Sequence, residues 1–196
     1  MTNGLSFTCA LPDWISSVVD YDEVYESDED KVGLANALAM GNVAHGTGGP
    51  FGAAVFDAST HRLVAPGVNL VVPALNPTAH AEIIAMAIAG AALGRYDLGD
   101  RRRQPMMLAT SVEPCAMCLG AIPWSGISAV IIGARDEDAR AAGFDEGDKP
   151  SDWIDRLHAR DIAVTRDVLR NESVLVLTSY NRVGGENYSA ATGSSS

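Results

Sequence analysis

Cysteine is scarce in this chain, with three in 196 residues: Cys9, Cys115 and Cys118. So small and odd a number makes a poor disulfide framework, and the C-x-x-C pair points to metal or redox chemistry in a reducing compartment instead. Basic residues are also few. Lys and Arg total 14 against 25 Asp and Glu, for a net charge of −11. That excess repels a phosphate backbone over most of the surface and argues against extended nucleic-acid binding. The one dense basic run, "RRRQ" at 101–104, reads as a solvated connection ahead of a strand. No Lys or Arg precedes Lys31, and the early residues hold no apolar h-region, so no secretory signal is expected and the expected location is cytoplasmic. The longest apolar stretch, 81–94, carries Glu82 in its first turn and falls short of the ~20 residues that span a bilayer. Repeats and internal linkers are lacking too, and at 47% hydrophobic content the length fits one domain.

What is present alternates between helix and strand patterns. Ser27 and Asp30 resemble a capping box, after which Val32, Ala35, Ala39 and Val43 recur at helical spacing until Gly46. "FGAAVFD" and "RLVAPGVNLVV" flank a polar turn and predict a hairpin. The Ala-rich run after His80 predicts a helix buried on most sides. "MMLATSV", "CAMCLGAIPW" and "AVIIGA" then read as strand, helix and strand, a parallel crossover. "RDEDARAAG" and "SDWIDRLHARD" predict short helices before a strand at "IAVTRDVL", and "NESVLVLTSYN" predicts a last helix capped by Asn171. The expected class is α/β, with helices on both faces of a mixed sheet.

Two motifs interrupt this apolar pattern with chemistry. "NPTAHAE" places His80 and Glu82 at the front of one helix, and "EPCAMC" places Cys115 and Cys118 at the front of another, with Pro114 suited to its first turn. Sulfurs three apart share a helix face, and a helix N-terminus favours a thiolate. Two thiolates and an imidazole suit zinc, and three ligands leave a position open for water, as catalytic sites do; Cys9 is an unlikely fourth. Taken singly, each motif has a plainer reading: a hydrogen-bonded core histidine, a redox pair, or two buried thiols. His45, His61 and His158 have no companion motif and read as surface residues. "GTGGPFG" lacks the Lys-Ser/Thr of a phosphate loop and reads as close backbone packing beside a pocket.

Together, in this order, H-x-E and P-C-x-x-C resemble the signature of the cytidine deaminase superfamily, in which a zinc-activated water displaces an amino group. The resemblance runs from about Val32 to Tyr188, and "AAGFDEG" at 141–147 resembles the guanine-deaminase members. It implies a three-layer α/β/α sandwich around a five-stranded mixed sheet, and one Zn2+ per chain held by His80, Cys115 and Cys118. Glu82 is implied as the proton shuttle, with Asp145 or Glu146 as a second acid. Asn69 and the Ala81 backbone are implied to bond the purine, Phe51 and Trp124 to pack on its ring, and Tyr188 to cover it. The implied division is an N-terminal extension over 1–27, a deaminase domain over 28–183 and a tail over 184–196 acting as a lid. The implied activity is hydrolysis of guanine to xanthine and ammonia by a homodimer taking a small-molecule substrate. The alternatives are another amino-heterocycle or nucleoside, a tRNA adenosine, and a zinc-stabilised binding module without turnover.

Overall fold

The computed structural model describes residues 8–99 and 104–188. Arg101, Arg102 and Arg103 of the basic run, and the tail beyond Tyr188, lie outside the described residues. A 3-10 turn at Asp13–Ser17 precedes α1 (Asp28–Ala44), β1 (Gly52–Asp57), β2 (Leu63–Val68), α2 (Val71–Ala74) and α3 (Ala81–Leu93). There follow β3 (Met106–Val112), α4 (Ala116–Ser125), β4 (Ala129–Ala134), α5 (Asp136–Ala141), α6 (Trp153–His158), β5 (Ala163–Thr165) and α7 (Arg170–Arg182).

The five strands form one mixed sheet in the order β2-β1-β3-β4-β5. β1 pairs antiparallel with β2 (Gly52 opposite Val68) and with β3 (Ala54 opposite Ala109). β3, β4 and β5 run parallel, with Leu108 beside Val130 and Val130 beside Val164. Alternation along β1 divides the core between the two faces. Ala53 and Val55 pack with α3, α4 and α6 residues Ala85, Ile122 and Leu157, while Ala54 and Phe56 pack with Val32 and Leu38 of α1. Every β1 residue is buried, as expected of a strand covered by helices on both sides. This is the three-layer α/β/α sandwich with a five-stranded mixed sheet that the family resemblance implies. Among the described residues no helix is long and apolar enough to cross a membrane.

The capping box forms as read: the Ser27 side chain accepts from the Asp30 N–H, and the Asp30 carboxylate accepts from the Ser27 N–H. Four local expectations are corrected. "NLVV" leaves the strand at Val68, and Val71–Ala74 makes a single helical turn ended by Leu75 in the left-handed region. Pro114 stands before the helix, because Cys115 itself takes the cap position with extended backbone. The strand after α6 covers only Ala163–Thr165. Asn171 lies inside α7, whose cap position is held by Leu169 at φ 50°.

Candidate active site

The start of α3 carries the first motif. His80 occupies the cap position with extended backbone (φ −73°, ψ 154°), and Glu82 is in the first turn, so the two side chains do not take the opposed directions that a two-residue step gives within a regular helix. Gly67 of β2 allows this placement, since a Cβ there would lie 2.2 Å from the Ala81 carbonyl oxygen. The second motif leaves the C-terminal end of β3, where the chain turns at Glu113 and Pro114 and starts α4 from Cys115. Both helix starts meet at the β3 end of the sheet, beside the first residue of β1, in keeping with the rule that α/β sites lie beyond the carboxyl ends of strands.

His80, Cys115 and Cys118 bring one Nδ1 or Nε2 and two Sγ atoms within 4.8 Å of one another, with Cys115 Sγ 3.5 Å from His80 Nδ1. Cys118 is fully buried. Its hydrogen bond, with help from His80, holds the Cys115 thiol down at about 4, whereas the same bond and burial push Cys118 up. The lowered value favours the thiolate form at Cys115, the form that binds a metal. Burial alone would lower the His80 pKa, but the Cys115 bond and the Glu82 charge raise it. The donor set of two soft sulfurs and one imidazole fits zinc, and Cys9 does not join the cluster.

A cavity of about 30 Å³ adjoins these atoms, lined among others by Phe51, His80, Glu82, Cys115, Glu146 and Tyr188. Burial, followed by the Cys115 charge, raises the pKa of Glu82. The same two causes, in that order, push Glu146 up to about 8. Phe51 meets Phe144 edge-on at 4.7 Å, and the Tyr188 ring stands edge-on to His80 at 6.2 Å. Asn69, 1% exposed, donates its side-chain amide to the Tyr188 hydroxyl. The glycine loop before β1 presses against it: a Cβ on Gly48 would lie 1.9 Å from the Asn69 carbonyl oxygen. Buried Asn42 fixes the approach by donating to both Gly49 O and Asn69 O, each at 2.8 Å.

The structure therefore brings together His80, Glu82, Cys115, Cys118, Phe51, Glu146, Asn69 and Tyr188, with Ala81 next to the first ligand. It parts two residues from the set. Asp145 borders the cavity, but it is exposed and its carboxylate accepts from the Gly147 N–H, closing a turn. Trp124 is 89% exposed and lines a separate groove with Pro123, Trp153 and Leu157. Its place near the end of α4, a helix whose N-terminus meets the site, carries the ring away from the cavity. Asn42, Glu113 and Lys149 were not found from sequence; the only local signal was Glu113 directly before Pro114 and Cys115.

Residues 26–134 match the cytidine and deoxycytidylate deaminase zinc-binding region, and the chain belongs to that family of zinc-dependent deaminases. Within it, the chain is 43% identical over 124 residues to guanine deaminase of Bacillus subtilis (strain 168), covering 60% of this chain and 75% of that one. It is 34% identical over 118 residues to the tRNA-specific adenosine deaminase of Haemophilus influenzae (60% and 65% covered). Among solved structures, guanine deaminase from Nitrosomonas europaea superposes with a TM-score of 0.86 at 38% identity, covering 90% of this chain and 97% of that one. The complex of NE0047 with 2,6-diaminopurine superposes with a TM-score of 0.86 at 39% identity (94% and 97% covered).

Proposed function

We propose that this protein is a zinc-dependent hydrolase that converts guanine and water to xanthine and ammonia. The observation that carries the reading is the meeting of a His-Cys-Cys donor set with two buried carboxyls, Glu82 and Glu146, in one cavity bordered by Phe51 and Tyr188. The similarity to guanine deaminases over most of the chain supports guanine as the base, and the net charge of −11 disfavours a polynucleotide.

His80, Cys115 and Cys118 hold the metal, which supplies Lewis acidity and brings the ionisation of water near neutral pH. Glu82 takes the proton of the attacking water and delivers it to ring N3, beside the attacked C2; burial moves its pKa towards the working range of a general base. Glu146, whose pKa burial raises, donates to the departing amino nitrogen, and the proton of the newly added C2 hydroxyl, released as the carbonyl forms, restores it. Asn69 and the Ala81 backbone bond the base edge and Phe51 lies against its ring. Tyr188, on the tail 184–196, acts as a lid: a cavity of about 30 Å³ has room for roughly one water, so a purine enters only when the Tyr188 segment moves.

The division into extension (1–27), deaminase domain (28–183) and lid belongs to the same reading, as does a cytoplasmic location, which keeps Cys115 and Cys118 reduced. A homodimer is supported by the apolar groove around exposed Trp124, which a second copy would cover. Light scattering tests it, and a monomer at all concentrations refutes it. The substrate is tested by ammonia release from guanine, other amino-heterocycles and nucleosides, and a tRNA anticodon stem. Guanine is expected to turn over fastest, with little salt dependence. Faster, salt-sensitive deamination of the tRNA stem would replace this reading.

A further inference from the structure

Between α5 and α6, residues 144–150 belong to no helix or strand, yet Glu146, within that segment, is only 5% exposed. Something other than secondary structure holds it. The Lys149 ammonium, on a side chain 7% exposed, lies 2.8 Å from Glu113 Oε1 and 2.6 Å from Asp136 Oδ1, and donates to Pro114 O at 3.1 Å. These three acceptors match its three N–H donors. Each carboxylate also holds an arginine: Glu113 Oε2 takes Arg166 at 2.7 Å, and Asp136 Oδ2 takes Arg140 at 2.5 Å. Arg140 in turn donates to Gly147 O at 2.7 Å. The Trp153 ring lies 6.0 Å from the ammonium on a further side.

This network joins two segments that both reach the cavity. Glu113 and Pro114 directly precede Cys115, while Lys149 and Gly147 closely follow Glu146, and the Ala116 N–H donates to Glu146 O at 2.9 Å. A buried ammonium is costly unless its partners are complete, so the set is satisfied in one arrangement and loses several bonds in any other. We propose that Lys149 is a positioning residue that sets Glu146 against the Cys115 end of the cavity, acting through Glu113, Pro114 and Asp136. The proposal rests on the reading of Glu146 as the second acid. A displacement of about 1 Å at such a group can cost on the order of 10²-fold in rate.

The test is the zinc-loaded Lys149→Met variant, alone and combined with Glu146→Gln. Lys149→Met is expected to lower kcat roughly 10- to 10²-fold, with a much smaller change in KM for guanine and an unchanged zinc content. Hydrogen exchange at amides 143–148 should accelerate, and Lys149→Arg should recover much of the loss. In the Glu146→Gln background, Lys149→Met should have little further effect on kcat. An equal loss in both backgrounds, a normal kcat for Lys149→Met alone, or unchanged exchange at 143–148 overturns the proposal. A normal kcat for Glu146→Gln alone refutes the second-acid reading instead, and the exchange measurement then decides whether Lys149 positions the segment. If Lys149→Met does not fold, Asp136→Asn, whose side chain reaches solvent, releases one arm. It should show the same faster exchange and a smaller loss of kcat, and unchanged exchange there also overturns the proposal.

Discussion

The side-chain amide of Asn69 donates to the hydroxyl of Tyr188, which lies 119 positions further along the chain. Asn69 follows β2, and Tyr188 follows α7, so the bond closes the cavity with a residue from near the end of the described chain. The group proposed to read the purine is therefore already satisfied by the group proposed to cover it. On that proposed reading, purine binding would exchange one hydrogen bond of Asn69 for another.

Deleting the residues after Gly184 should remove the cover without disturbing the core. Turnover is expected to fall by roughly 10²-fold through lost water exclusion and positioning, with the near-ultraviolet circular dichroism unchanged. A fully active truncated protein would show the Tyr188 segment to be dispensable.

Metal binding and proton transfer should separate cleanly. Glu82→Gln is expected to keep one zinc per chain and to lose at least the 10²–10⁴-fold typical of a general acid–base group, because its carboxyl lines the cavity without joining the donor cluster. Cys9→Ser should keep zinc and activity, whereas Cys118→Ser should lose zinc. Metal analysis beside steady-state rates checks all three, and zinc loss in Cys9→Ser would favour a closed structural site.

Asp145 and Glu146 are neighbours in sequence but differ sharply in burial. Glu146→Gln should lower turnover on the order of 10²-fold with zinc retained, while Asp145→Asn should change it little, since that side chain faces solvent and serves a turn. The reverse order of effects would transfer the acid role to Asp145.

The buried Glu146 also predicts a pH dependence for the metal-free protein. Its pKa, about 8 against an ordinary 4.5, is raised by folding, chiefly through burial and then through the Cys115 charge. The folded state thus holds the proton more tightly than the unfolded one. The stability contributed is fully present below about 4.5 and is lost as pH rises through about 8. With zinc chelated, the Tm of the wild type should fall relative to Glu146→Gln between these values. Parallel curves would show that the carboxyl is not buried as described.

Much of this was legible in sequence where local signals act alone. The Ser27/Asp30 box, the apolar run of β1 before a polar turn and the spacing of His80, Glu82, Cys115 and Cys118 are each contained in a few residues. The remainder depends on distant packing. Val71 and Val72 favour a strand by their β-branching, but the chain turns into one helical turn there, and Asn69 is left facing Tyr188. Trp124 could not be oriented from its motif, because helix rotation decides which way its ring points. The carboxylates that meet at Lys149 come from positions 113 and 136, and no short window of sequence contains all three residues. Adjacent Asp145 and Glu146 were indistinguishable until their burial was known.

His80, Cys115, Cys118 and Glu82 are proposed to carry out hydrolysis of guanine. Incubating the zinc-loaded protein with guanine in H2(18)O and recording the product by mass spectrometry tests it most directly. The expected product is xanthine carrying one oxygen from water, with one equivalent of ammonia, formed by the wild type and nearly abolished in zinc-loaded Glu82→Gln. Absence of labelled xanthine from the zinc-loaded wild type would rule out guanine hydrolysis at this site, and its undiminished formation by Glu82→Gln would rule out Glu82 as the proton shuttle.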